Sequence, residues 1–404
     1  MNNPYFIYIA SFSLALLLYQ LNWSAIYPAL TFPLIGFLLS TFAVAIYLGI
    51  NIRNKDVLRY ETIPYNTNVT RITILNYFLW SLNMAYSGSI PLLSIVRGDL
   101  SNLREFGMPV LHVLISTFTI FICLYLFHQY LSTGKNKLLL LYTVNFIIPI
   151  LAFSRSLLMN IIIGTLFIYL YSKQNQILKW KFIRQIIIKI LPIMMLVLFL
   201  FGLIGNVRTS NQLTTNYQGD TDDLILLIGD ARPEFRESGL PKELFWTYLY
   251  LSSPLANLQE NVSYGRDKII NGQDFSDFIL NEIIPDFISK KINEVSNKQE
   301  KSFLQIHPAL NVGSVYTGSY YYLLWMGLFL MGFFIMAFPA VYISLLRTDE
   351  CLFTCGIAML NTMYFFLVFD NMFALSGMSF QLIYPVVLSY LFGKRKTKII
   401  KAQL

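Results

Sequence analysis

The chain has 404 residues, of which 55% are hydrophobic and 13% are charged, and its mean hydropathy is +0.55. Soluble domains carry about 25% charged residues, so this composition excludes an ordinary soluble fold. The net charge of +8 would suggest a nucleic-acid partner only if lysine and arginine clustered on one soluble face, and they are spread over many short segments. Composition therefore predicts an integral membrane protein.

Apolar stretches long enough to span a membrane recur along the chain, since a spanning helix needs about 20 mostly apolar residues. Ten stretches qualify: 5–21, 31–50, 72–93, 109–131, 138–153, 157–172, 186–206, 317–341, 351–369 and 373–392. The fifth and sixth are short and are separated only by residues 154–156, so a tight hairpin and one broken span both stay open. The sequence thus predicts an all-α integral membrane protein of about ten transmembrane helices.

Lysine and arginine predict the orientation of these spans, because both favour cytoplasmic loops. With the N-terminus inside, the inner segments carry seventeen basic residues, whereas the short outer loops carry three, Arg97, Arg104 and Arg155. Both termini are therefore predicted to be cytoplasmic.

This orientation divides the chain into three parts. Residues 1–206 form an N-terminal bundle of seven spans, residues 207–314 form a large external loop, and residues 315–404 form a C-terminal bundle of three spans with a basic cytoplasmic tail. Apolar residues recur at helical spacing in 242–258 and in 275–292, until Pro285 interrupts the second stretch. We expect short amphipathic helices there, which lie on the membrane or cap the bundle.

Arginines near the outer face are the informative residues, since the sequence contains no soluble catalytic signature and no metal-binding motif. Arg155 lies between two apolar runs, where a charge is expensive unless it is paired or faces water. Arg208 follows the seventh span, Arg232 and Arg236 are spaced i, i+4 in the loop, and Arg266 is a weaker candidate. Headgroup anchors or a solvated salt-bridge network are the alternatives. Gathered at one face, such guanidinium groups would bind phosphate on a lipid and stabilise a pyrophosphate leaving group without a metal.

His307 is the histidine outside the spans, and it lies just before the eighth span. It could act as a general base or donate a hydrogen bond to a sugar hydroxyl. The alternative is an ordinary loop histidine.

The layout resembles that of the oligosaccharide repeat-unit polymerases, the family that builds O-antigen and capsule. One dominant outer loop lies late in the chain, and a Ser-Arg-Ser turn surrounds Arg155. Gly205 and Arg208 stand at the loop entrance. The loop exit is rich in Asn, Thr, Gly and Tyr, namely Asn311, Gly313, Thr317, Gly318 and Tyr320.

The resemblance implies a membrane glycosyltransferase at the outer face of the bacterial inner membrane. Such an enzyme transfers a growing glycan from undecaprenyl pyrophosphate to the sugar end of a lipid-linked repeat unit. No cofactor and no nucleic acid are implied; the partners are the lipid-linked oligosaccharide, the bilayer and, as a further candidate, a chain-length regulator. An O-antigen ligase, a lipid-linked oligosaccharide flippase or other transporter, and a structural membrane partner are the rival functions.

Carried over residue by residue, the resemblance implies that Arg155 and Arg208 hold the pyrophosphate, with Arg208 also contributing to catalysis. Arg232 or Arg236 would supply the second loop arginine. The expected base is His307, with Asp370 in reserve. Further substrate contacts are expected from Arg266, Asn311 and Tyr320.

Overall fold

The computed structural model describes residues 3–54, 58, 60–97, 106–174, 184, 188, 224–265, 269–295, 303–346 and 350–392. Within these ranges the chain is helical, apart from an isolated antiparallel bridge between Ser24 and Ala231. The predicted all-α class is confirmed.

The helices before residue 175 follow the predicted spans closely. They are α1 Pro4–Tyr19, α2 Phe32–Asn54, α3 Val69–Ser87, α4 Pro91–Val96, α5 Leu111–Thr133, α6 Asn136–Leu151 and α7 Arg155–Ser172. Since α6 and α7 are separate antiparallel neighbours, the segment around residue 154 is a tight hairpin and not one broken span. The predicted span 186–206 lies outside the described residues.

The described part of the large loop, residues 224–265, 269–295 and 303–314, contributes five short or medium helices and one π-helical turn. They are α8 Leu224–Ile228, α9 Pro233–Arg236, α10 Glu243–Tyr264, α11 Gly272–Phe278, the π turn Ile279–Ile283 and α12 Asp286–Val295. The C-terminal part contains α13 Thr317–Leu345, α14 Glu350–Phe366, α15 Ser376–Ser379, a 3₁₀ turn Phe380–Leu382 and α16 Ile383–Phe392.

Four helices within the described ranges are long and apolar enough to cross a membrane: Phe32–Arg53, Leu111–Thr133, Arg155–Ser172 and Thr317–Leu345. Shorter apolar helices are Pro4–Tyr19, Asn136–Leu151 and Leu352–Phe366. Large apolar side chains such as Phe333, which is 75% exposed, cover the outside of these helices, as lipid-facing surface would require. A multi-pass membrane protein is therefore indicated, and the full set of ten spans stays a prediction.

The predicted span 317–341 is not one straight helix. Leu324, within α13, has φ +53° and ψ −140°, which no helix accommodates. Tyr316 and Gly332 both lie against Phe37 of α2, although a straight helix would separate them by about 24 Å. The chain therefore folds back at Leu324, so that residues 317–323 run beside the start of residues 325–345.

Gly327 makes this reversal possible. A Cβ atom at this position would overlap the carbonyl oxygen of Ser319, which lies on the other arm of the fold-back. Only glycine permits such a close approach of two backbone segments.

The last predicted span, 373–392, is a regular α-helix only from Ile383. Residues before it form α15 and the 3₁₀ turn, and α12 of the large loop packs there, with the rings of Phe287 and Phe380 5.5 Å apart. Because α14 has 17 residues, it rises only about 25 Å, short of a full bilayer core. The loop helices thus complete the bundle above α14 and α16.

α10 does not lie on the surface as an amphipathic helix. It packs against α1 and α13, and both its apolar and its polar residues are buried, including Phe245, Leu249, Asn257 and Gln259. The alternative that loop helices cap the bundle therefore describes α10 correctly. The predicted interruption at Pro285 is also confirmed, since the chain is extended at Ile284 and helical again from Asp286.

Pro339 lies inside α13 and cannot donate a backbone hydrogen bond to the carbonyl of Ile335, four residues earlier. The hydroxyl of Tyr364 on α14 donates to this free carbonyl instead. The hydroxyl of Tyr5 on α1 donates to the adjacent carbonyl of Met336 at 2.7 Å. The two tyrosine hydroxyls thus provide hydrogen bonds to carbonyls of the kinked helix and link α1, α13 and α14.

Tyr364→Phe should lower the free energy of unfolding by about 1 kcal/mol, because it leaves the Ile335 carbonyl unpaired. In a Pro339→Ala background the restored N–H can donate to this carbonyl, so the same substitution should cost less. The midpoint of thermal unfolding in detergent measures both effects. Tyr47→Phe, at a side chain that is 66% exposed, is the control. An equal cost of Tyr364→Phe with and without Pro339 would contradict this account.

Candidate functional site

The loop end of the bundle is the end at which α1 finishes and α2, α5, α7 and α13 begin. There the large loop, the start of α13 and the segment after α14 meet. Backbone bonds join them directly: the amide of Val315 donates to the carbonyl of Leu367 at 2.9 Å, and the amide of Asp286 donates to the carbonyl of Ala374 at 2.7 Å. The candidate site is built where these three segments meet.

Two asparagines of α10, one turn apart, hold the loop exit in place. The amide of Asn257 donates to the carbonyls of Leu310 and Val312 at 2.7 and 2.8 Å, and its oxygen accepts from the amide of Ile306 at 2.8 Å. Asn261 binds both the carbonyl and the amide of Leu304, at 2.8 and 3.1 Å. Each side-chain amide thus provides hydrogen bonds to the backbone of a segment that is neither helix nor strand.

The clamped segment positions His307, the predicted base. Its Nδ1 atom accepts a hydrogen bond from the amide of Ala309 at 3.1 Å, which closes a tight local turn. The side chain is partly exposed, and burial of the remainder lowers the pKa of the imidazole. A neutral imidazole suits a base, and the role of His307 as the base stays a prediction. Asn311 is exposed nearby, and Tyr320 is buried on the first arm of α13.

A buried carboxyl group, Glu282, occupies the centre of the loop end and was not singled out from the sequence. It lies in the π turn and is 8% exposed. Asn371, after α14, donates through Nδ2 to the Glu282 carbonyl at 2.7 Å and to Oε2 at 2.9 Å. On the other side the carboxyl lies against Gly318 and accepts a hydrogen bond from Ser319. π turns are rare and often mark functional sites.

Gly318 must lack a side chain for Glu282 to sit there, since a Cβ atom would overlap the carboxyl oxygen Oε1. The fold-back at Leu324 brings Gly318 to this position. Glu282 therefore links the large loop, the first arm of α13 and the segment after α14.

Two further carboxylates flank Glu282. Asp370 accepts a hydrogen bond from the amide of Asn371 at 2.7 Å and keeps part of its surface exposed. Asp286 accepts from both the amide and the hydroxyl of Ser376, and pairs with Lys290 at 3.3 Å. Within the described ranges, no set of three histidine, cysteine, aspartate or glutamate side chains is arranged to hold a metal ion.

Burial alters the pKa values of two of these carboxyls, Glu282 and Asp370. It raises the pKa of Glu282 to about 8, with a smaller contribution from the negative charge of Asp370. Limited access of water also raises the pKa of Asp370, and Asp286 adds to the rise. At neutral pH the buried Glu282 therefore holds a proton, whereas the more accessible Asp370 is the group that can reach a ligand.

An apolar groove of about 330 Å³ runs from this site along the outside of the bundle, between α13 and α16. Its head is formed by Ile283, Pro285 and Phe373, each close in sequence to one of the three carboxylates. Further along, its walls are apolar side chains of the two helices, Phe334, Phe338, Val341, Leu345, Ile383, Val386 and Val387.

Three of the predicted arginines, Arg155, Arg232 and Arg236, lie on other segments of the loop end. Arg155 is exposed at the first turn of α7, where Ser154 caps the helix by accepting from the amide of Leu157 at 3.4 Å. Arg232 and Arg236 lie near the end of α1: the Arg232 amide donates to the carbonyl of Trp23, and the Arg236 side chain donates to the carbonyl of Ala231, both at 2.8 Å.

The Nε atom of Arg232 is buried and has no hydrogen-bond partner among the described residues. α7 packs chiefly on α5, α6 and α14, whereas the Arg232 segment packs on the end of α1 and on α10. Arg208 and Arg266 lie outside the described residues. The pyrophosphate clamp therefore stays a prediction.

Comparison with protein-family models, with curated proteins and with solved structures finds no match.

Replacing Asn257 and Asn261 by alanine should release the loop exit, because five backbone groups lose their buried partners. Hydrogen–deuterium exchange of peptides that cover residues 303–316 should become faster. Asn311→Ala, at an exposed asparagine of the same segment, should leave the exchange unchanged. Unaltered exchange in the double variant would show that the clamp does not hold the segment.

Glu282→Gln should change how stability depends on pH. A carboxyl whose pKa rises from 4.5 unfolded to about 8 folded stabilises the protein fully below pH 4.5, and this contribution is lost as pH rises to 8. The wild-type midpoint of unfolding should therefore fall relative to that of the glutamine variant between these pH values and then level off. Parallel pH curves for the two proteins would refute the raised pKa.

Proposed function

We propose that the chain is a membrane glycosyltransferase that polymerises a bacterial surface polysaccharide, O-antigen or capsule, at the outer face of the inner membrane. It transfers a growing glycan from undecaprenyl pyrophosphate to a lipid-linked repeat unit. In this proposal the chain spans the membrane ten times, with both termini in the cytoplasm. The observation that carries it is the group of perturbed carboxyls at the head of an apolar groove on a membrane-spanning bundle.

The groove and the carboxyls together fit a substrate with an apolar tail and a polar head. A polyprenyl chain can lie between α13 and α16, where the walls are Phe, Val, Leu and Ile side chains. Its polar head would then emerge at the loop end of the bundle. A substrate of another kind, such as a soluble sugar nucleotide, would leave the groove without a purpose.

The two tasks of the site, binding the pyrophosphate and activating the acceptor hydroxyl, need groups of opposite charge. Carboxylates repel pyrophosphate, so Asp286 and Asp370 are unsuited to bind the leaving group. They suit the sugar hydroxyl that attacks. We assign the pyrophosphate to arginines, which keep their charge and bind phosphate bidentately: Arg155 and Arg232 at the loop end, and Arg208 as predicted from the sequence.

The transfer needs one proton acceptor. The acceptor hydroxyl forms a bond to the anomeric carbon of the growing glycan while the bond from that carbon to the pyrophosphate oxygen breaks. Undecaprenyl pyrophosphate leaves with the electron pair, and the hydroxyl proton passes to a base. Asp370 is favoured over His307 for this role, because it adjoins both the buried carboxyl and the head of the groove.

Deletion of the gene should leave lipid A capped with a single repeat unit, and wild-type protein should restore long chains on a glycan gel. Asp370→Asn, Arg155→Ala and Arg208→Ala should each fail to restore them while still inserting in the membrane. Glu294→Gln, on the exposed face of α12, is the matched control and should restore them. Long chains stranded on the carrier lipid in the deletion strain would instead identify a ligase, and normal chain lengths in all variants would refute the site.

A further inference from the structure

Glu282 is buried, forms hydrogen bonds on both sides and has no task in the transfer described above. We propose that it is a positioning residue that works as a neutral carboxylic acid: it holds Asn371 and thereby aims the Asp370 carboxylate at the acceptor hydroxyl. This inference rests on the proposed polymerase function.

Asn371 is the connection between the two carboxyls. Its Nδ2 atom binds Glu282, and its backbone amide binds Asp370 at 2.7 Å. Its Oδ1 atom accepts from the amides of Phe373 and Ala374 at 3.1 and 3.4 Å, which shapes the turn after α14. The orientation of Asp370 is therefore set by a residue whose side chain is anchored on Glu282.

The opposite side of Glu282 is closed by the first arm of α13. Gly318 leaves just enough room for the carboxyl, and Ser319 binds it. A shorter or longer side chain at position 282 cannot meet Asn371 and Ser319 at once. Glutamine can, because it has the shape of a protonated glutamic acid.

The charged groups around Glu282 favour its neutral form. On the segment after α14 it faces Asp370, and on α12 it is followed by Asp286, whose partner is Lys290. α11, which precedes the π turn, carries Asp274 in a capping box and Asp277, which accepts from Gln273 at 2.7 Å. A second negative charge beside Asp370 would repel the incoming pyrophosphate, whereas a neutral carboxylic acid does not.

During transfer the proton moves from the acceptor hydroxyl to Asp370, and Glu282 keeps its own proton throughout. Above pH 8 Glu282 loses that proton, and although the carboxylate still accepts from Asn371, its negative charge then opposes pyrophosphate binding. Chain extension should therefore weaken at alkaline pH for a reason specific to Glu282.

The test measures the rate of chain extension against pH in membranes that contain the full-length protein, with a synthetic lipid-linked repeat unit as substrate. Wild type should lose roughly tenfold between pH 7 and pH 9, as about nine-tenths of a group with a pKa near 8 ionises. Glu282→Gln should match wild type at pH 7 and keep that rate at pH 9. Glu282→Ala should be slower by roughly 10- to 100-fold at both pH values.

Glu294→Gln is the matched control and should repeat the wild-type profile, including its alkaline fall. Asp370→Asn should lose about 100-fold or more at every pH. A Glu282→Gln protein that elutes as a folded species yet is inactive at pH 7, or one that shows the wild-type alkaline fall, would overturn the positioning role. Absence of extension by the wild type would instead remove the polymerase function on which it rests.

Discussion

The reversal of α13 at Leu324 organises the loop end. A leucine with positive φ is rare and costs about 1–3 kcal/mol, so the surrounding packing must hold it. Gly327 lets the two arms touch, and the hydroxyls of Tyr316 and Tyr8 share a hydrogen bond of 2.7 Å that anchors the first arm on α1. Without the reversal, Gly318 would not lie against Glu282, and the loop would lose this contact with α13.

The second consequence of this arrangement is a buried carboxyl with an altered proton affinity. Desolvation disfavours the charged form of Glu282, and the hydrogen bonds from Asn371 and Ser319 offset this only in part. In a structural ion pair, a cation beside the buried carboxylate normally offsets this desolvation penalty. Here the described neighbours are amides, a hydroxyl and further carboxyls, an arrangement typical of functional sites.

The sequence predicted the architecture far better than the site. Apolar run lengths predicted α1, α2, α3, α5, α6 and α7, because hydropathy and backbone hydrogen bonding determine spans almost alone. The short helix α4 was not predicted, since the span 72–93 was expected to be continuous. The fold-back could not be predicted, since Leu324 is an ordinary helix former and Gly327 is one of several glycines in apolar runs. Glu282 carried one usable signal: it is an acidic residue in a mostly apolar stretch, three residues before Pro285, in FILNEIIPDF.

The sequence prediction did not include Glu282, because the family resemblance implies a site built from arginines. Arg155 and Arg232 lie at the loop end as expected, on segments that pack against different helices. The proposed division of labour, in which arginines bind pyrophosphate and carboxyls serve the acceptor hydroxyl, reconciles the two sets of residues.

The most direct measurement uses the purified protein in liposomes with the lipid-linked repeat unit as the sole substrate. Mass spectrometry then counts glycosidic bonds formed and undecaprenyl pyrophosphate released. The account predicts one molecule released for each bond, without any nucleotide. Movement of the intact repeat unit across the bilayer with no release of the carrier lipid would contradict it.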